Sequence, residues 1–112
     1  MTFIENQIAR SEKMLARWRG RPAKMHELAK LAAKSLRVVV PGDEPGKNLF
    51  IACIEPLFIC GPVEWKNSHI VLRPCTLEGG EEGVELIDEA NGVRIVSYTF
   101  EVKENVKLKG EG

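Results

Sequence analysis

The chain has little of what usually announces a function. Its longest apolar run, Leu49 to Ile54, is strand-sized and bounded by Asn48 and Glu55, far short of a bilayer span. Met1-Thr2-Phe3 turns polar at once, with no basic leader ahead of an apolar run, so no signal peptide is read and a cytoplasmic location is expected. Histidine is scarce: only His26 and His69 are present. The three cysteines, Cys53, Cys60 and Cys75, form no Cys-x-x-Cys pair. Neither histidine stands at finger spacing, so no zinc site is expected. Each cysteine lies in or beside an apolar strand-like run, and buried, reduced, structural thiols are expected. No catalytic constellation is visible and no cofactor is expected. Ser68 and His69 are neighbours in an extended entry, so their side chains point apart. Glu55 and Glu64 could pair as carboxylates, but sequence does not place them.

Net charge is also missing, since 16 Lys and Arg balance 16 Asp and Glu. That zero hides a sorting by position. Residues 1–40 carry nine basic residues against three Glu, and residues 41–112 carry seven basic against thirteen acidic. Each half therefore has an excess of six charges, of opposite sign. Such asymmetry points to a basic surface for a partner, or to contact between opposite halves of neighbouring copies.

The chain length suits one domain with a modest core. Thr2-Phe3-Ile4-Glu5 is a capping-box pattern. Ile4, Ile8, Ser11, Leu15 and Trp18 then recur at helical spacing, predicting a helix from about Phe3 to Arg19. Gly20 reads as its C-terminal stop and Pro22 as the first turn of a second helix, to about Leu36. Met25, Leu28, Ala29, Ala32 and Leu36 would form the buried stripe of that helix, with Lys24, Lys30 and Lys34 opposite. The two would make a helical hairpin.

From Arg37 the period changes. Three β-branched residues, Val38 to Val40, read as strand, and the breaker-rich loop 41–46 follows. Leu49 to Glu55 is apolar on both faces and belongs in the middle of a sheet. Leu57 to Cys60 continues β. Pro56 and Pro62 should mark turns, bulges or an edge, with Val63 to Trp65 beyond. Strands around Ile70–Leu72 and Val84–Asp88 follow. Asn91-Gly92 signals a hairpin, read as a three-residue turn with Gly92 left-handed. That register pairs Val84 with Tyr98, Leu86 with Val96 and Asp88 with Arg94, and runs an apolar stripe through Val96, Tyr98, Phe100 and Val102. The tail from Lys107 should fray.

Three motif readings fail on context. Arg19-Gly20-Arg21-Pro22 matches the core of an AT-hook, which reads the minor groove from a flexible tail. Here it occurs once, between predicted helices, and reads better as a turn. Glu27 to Ala32 looks like the first helix of a helix-turn-helix, but strand follows where a recognition helix is needed. Val38-Val39-Val40 ahead of Gly42 to Lys47 hints at a phosphate loop. Its glycine spacing is one short, Asn48 replaces the magnesium-binding hydroxyl, and strand follows.

The expected fold is therefore α+β: a helical hairpin, residues 1–36, on one face of a curved antiparallel sheet of about five strands, residues 37–106. The function expected is a non-enzymatic protein-interaction module that self-associates, as a homodimer with an apolar interface from the β half. The alternative is a nucleic-acid-binding regulator whose phosphate-contacting face comprises Arg10, Lys13, Arg17, Arg19, Arg21 and Lys24. A third class is a small-molecule-binding domain or enzyme with its pocket between helices and sheet.

Overall fold

The structure, a computed structural model, describes residues 2–28 and 35–107, with side chains at all of these except 27 and 28. It contains one helix and seven strands. Helix α1 spans Phe3–Arg17 and starts on the expected capping box. Glu5 N–H donates to Thr2 Oγ1 at 3.2 Å, and Thr2 N–H donates to Glu5 Oε1 at 3.0 Å. Its buried residues are Ile4, Ser11 and Leu15, with Ile8, Met14 and Trp18 packed against the core.

The second helix is replaced by strands. β1 spans Ala23–Leu28 and β2 spans Ser35–Val40, antiparallel from Lys24 opposite Val39 to Leu28 opposite Ser35. The expected stripe residues Ala29 and Ala32, with Lys30, Lys34 and the tail from Leu108, lie outside the described residues. Helix propensity is a weak prior, and tertiary pairing overrides it. Ala23 and Met25 point to the core while Lys24 and His26 alternate outward, which is the two-residue period of a strand. β1 also finds partners on both sides. Ala23 pairs with Trp65 of β4, Glu64–Trp65, and Met25 N–H donates to Val63 O at 2.8 Å.

The remaining strands are β3, Asn48–Cys60; β5, Val71–Thr76; β6, Glu82–Asp88; and β7, Val93–Val106. All pairs are antiparallel, in the order β4-β1-β2-β3-β7-β6-β5. The broad α+β class holds, but the sheet has seven strands rather than about five. It is open rather than curled, and its edges, β4 and β5, do not pair. β4 is two residues long and β5 carries Pro74, which cannot donate to a ladder, so neither edge is suited to closure.

β3 lies fourth in that order, as its two-sided apolarity predicts. Ile51 and Leu49 are fully buried on the core side, and Phe50 is buried on the other face under Arg37. The helix packs over β5, β6 and β7, and one cluster joins Ile4 and Leu15 to Ile51, Leu72, Leu86 and Ile95.

The last hairpin corrects the expected register. Glu89–Asn91 form a 3₁₀ turn and Gly92 is left-handed at φ 68°. Asp88 pairs with Val93, Leu86 with Ile95 and Val84 with Ser97. The ladder is one residue from the expected pairing, so Ile95 rather than Val96 faces the core and Tyr98 is exposed. A slip of one residue exchanges the faces of a strand. Asp88 is anchored where β6 enters the turn. Its carboxylate is buried and accepts from Trp65 Nε1 at 3.0 Å, His69 N at 2.8 Å and Asn91 Nδ2 at 3.1 Å.

Two glycines test this backbone. Gly92→Ala meets no atom but forces a left-handed alanine, and should cost about 1 kcal/mol. Gly42→Ala would drive Cβ into the Lys47 carbonyl and to 3.3 Å from the Trp18 ring, and should cost about 3 kcal/mol. Urea unfolding of the two variants should rank them in that order.

Candidate functional site

Three of the six basic residues singled out from sequence, Arg17, Arg19 and Arg21, are paired with carboxylates of the same chain. Arg17 is held bidentate by Glu104, with Nε to Oε1 at 3.0 Å and Nη2 to Oε2 at 2.8 Å. Trp18 Nε1 donates to the same carboxylate at 2.8 Å. Arg21 is held bidentate by Asp43 at 3.0 Å and lies 5.4 Å from the Trp18 ring centre. Arg19 reaches Glu12 at 3.7 Å. Arg10 and Lys13 are exposed on the helix, and Lys24 sits on β1 opposite Glu64. Part of the sorted charge thus meets within a single chain, because Glu104 and Asp43 both belong to the acidic segment.

The expected pocket between helix and sheet is divided and small. The gap among Leu15, Trp18, Val40, Leu49 and Ile70 holds about 10 Å³, room for a single water. A groove of about 240 Å³ runs between Gln7, Arg10 and Met14 of the helix and Phe100 and Val102 of β7. Gln7 Oε1 is buried without a hydrogen-bond partner there. Larger hollows lie elsewhere. One of about 450 Å³ is lined by His69, Val71, Arg73, Ile87 and 88–90. It opens on the face away from the helix, since Val71 and Ile87 alternate with the core residues Leu72 and Leu86. One of about 320 Å³ lies beside β1 and β4.

Chemistry-bearing side chains stay apart. Glu55 and Glu64 are both exposed. Ser68 is buried by backbone bonds, its carbonyl accepting from Gly20 and its N–H donating to Arg21 O. No group of three or more His, Cys, Asp or Glu among the described residues could hold a metal ion. The three thiols are free, but their surroundings differ. Cys53 is buried, which pushes its pKa up to about 12 against a smaller opposing hydrogen bond from Ser97. Cys75 is half-buried, and burial with nearby Glu85 raises it. Cys60 is exposed, correcting the expectation that all three are interior. Trp65 and Phe100 are core residues, whereas Tyr98, of the expected apolar stripe, is exposed.

The most unusual surface follows from the two long strands. β3 and β7 pair along nearly their whole lengths, with register shifts between Asn48 and Phe50 and between Pro56 and Phe58. β2 pairs only with Leu49 to Ile54 of β3, and β6 only with Val93 to Ser97 of β7. Among the described residues, each long strand therefore has a half with no outer neighbour: 55–60 of β3 and 98–106 of β7. The helix lies along the second, where Arg17 and Trp18 hold Glu104. Nothing among the described residues covers the first. Its side chains are apolar and in water: Leu57, Phe58 and Ile59 are 54%, 46% and 51% exposed, with Val63 at 67% nearby in sequence. Arg94, joined to Glu85 and through it to Arg73, stacks 5.1 Å over Phe58.

Sequence placed this segment in a strand and flagged Pro56 and Pro62 as bulge or edge markers. It could not show that, among the described residues, β2 pairs no further along β3 than Ile54. No family model, curated protein or solved structure matches the chain.

Two measurements check these environments. Cys60 should alkylate fastest, Cys75 more slowly and Cys53 only on unfolding, counted by mass spectrometry. Labelling of Cys53 in the folded protein at the rate of Cys60 would contradict its burial. The Arg17 hydrogen bond is the main cause holding Glu104 below the usual carboxylate range, helped by Trp18. A carboxyl more acidic in the folded state stabilises fully above its unfolded-state pKa and loses that contribution as pH falls through the folded-state value. Glu104→Gln should therefore cost about 1–2 kcal/mol at neutral pH, discounted for the exposed Arg17. The gap to the unmodified chain should close in acid.

Proposed function

We propose that this chain is a non-enzymatic protein-interaction module, and that it docks a polypeptide strand along the outer edge of β3. One observation carries this reading: Leu57, Phe58 and Ile59 are apolar and solvated on a stretch of β3 that has no outer strand partner among the described residues. Natural sheets guard their edges with short strands, charges, proline or a covering element. β4 is short, β5 has Arg73 and Pro74, and the outer half of β7 lies behind the helix. Leu57 to Cys60 carries no charge and no proline, with Pro56 and the register shift between Pro56 and Phe58 at its start. Such an edge suits strand addition, in which main-chain hydrogen bonds supply affinity and alternate side chains supply selectivity. The exposed apolar groups would then be covered, as surface patches of this kind usually are in use.

The reading is tested by photo-crosslinking in the cells that make the protein. The photoreactive residue p-benzoylphenylalanine replaces Phe58 in one version and the exposed loop residue Glu81 in another. Position 58 should give light-dependent adducts with protein, and position 81 should not. An absence of adducts at 58 would rule out β3 as the docking edge.

A further inference from the structure

Resting on that reading, we infer that the strand β3 receives is β3 of a second copy, paired antiparallel across a two-fold axis at Phe58, and that assembly stops at two. A strand that pairs with itself must be complementary to itself. The stretch Pro56 to Cys60 carries no charge, so an antiparallel copy meets no like charge within the strand itself; Arg94, stacked over Phe58, is held by Glu85. A partner selected by charge would find nothing on this strand to read. The chain is neutral overall as well, so no long-range repulsion holds copies apart.

The register follows from the ends of the free span. With the axis at Phe58, Pro56 lies opposite Cys60, Leu57 opposite Ile59, and Phe58 opposite Phe58. Moving the axis to Leu57 would set Cys60 against Ile54, whose outer side already pairs with Ser35 of β2. Moving it to Ile59 would set Pro56 against Pro62, and neither has an N–H to donate. The antiparallel sense also separates Glu55 of the two copies to opposite ends of the pair. A parallel arrangement would stack them.

Closure follows from the other edges. Head-to-tail growth needs a second, different edge on each chain. The guards already described on β4, β5 and the outer half of β7 leave each chain, among the described residues, one stretch of edge that is free of charge and proline, Leu57 to Cys60. Pairing through it is isologous and ends at a dimer. Five residues of strand make a small interface, so dissociation on dilution into the micromolar range is expected.

The test is sedimentation velocity from low micromolar to the highest soluble concentration, with thermal melts to show that each variant folds. The unmodified chain should shift from 12.5 kDa to twice that mass. Phe58→Glu and Phe58→Lys should each remain monomeric, because each places like charges across the axis. An equal mixture should restore the dimer, roughly tenfold tighter than either variant with itself. If either Phe58 variant fails to fold, Ile59→Glu and Leu57→Lys, which face each other across the axis, replace the pair.

A dimer that forms in the unmodified chain, but that neither charge pair weakens and rescues, would overturn the axis. A monomer at every concentration would overturn self-pairing. Crosslinking at position 58 then separates the two readings. Adducts with another protein would retain the docking edge without the second copy, and their absence would remove both.

Discussion

The pairing of β3 with β7 is the interaction on which the other elements depend. It joins Asn48 near Val106 at one end to Cys60 at Arg94 at the other, and every other strand attaches to one half of it. β2, with β1 and β4 beyond, takes the first half of β3; β6, with β5 beyond, takes the first half of β7. Because the strands run antiparallel, those two halves lie at opposite ends of the ribbon. Two stretches of edge are left over as a consequence. The helix occupies one, and the apolar run of β3 projects from the other.

The helix keeps its place by packing and by one polar clamp. Ile4 and Leu15 enter the core, and Glu104 receives both Arg17 and Trp18. Asp88 does comparable work at the far end of β6, joining Trp65, the backbone of His69 and the turn at Asn91. It is a carboxylate satisfied by neutral donors rather than by a cation, and hydrogen bonds to a charged group are worth about 1.5–3 kcal/mol each. It therefore ties β4 and the segment leading into β5 to the hairpin.

These clamps change what the charge sorting means. An excess of positive charge in one segment and negative charge in the other suggested contact between copies or with a polyanion. Arg17 with Glu104 and Arg21 with Asp43 bring the two segments together in one molecule instead. Leu57, Phe58 and Ile59 of β3 are exposed and uncharged.

Sequence by itself determined the elements whose signals are local. The capping box and the 3.6-residue stripe define α1, three consecutive valines define β2, the two-sided apolar run places β3 centrally, and Gly92 marks a left-handed turn. Each depends on interactions within a few residues, so each could be read without the fold. Tertiary structure decided the rest. Ala23 to Leu28 fits a helix by propensity but becomes strand because Trp65 and Val39 offer partners on both sides. The β6–β7 register differs by one residue from the sequence reading and puts Ile95 rather than Val96 in the core. Leu57 to Ile59 are exposed because, among the described residues, the pairing of β2 reaches only Ile54 while β3 continues to Cys60. Whether a strand is central or an edge is a property of its neighbours, and no local pattern encodes where a neighbour ends.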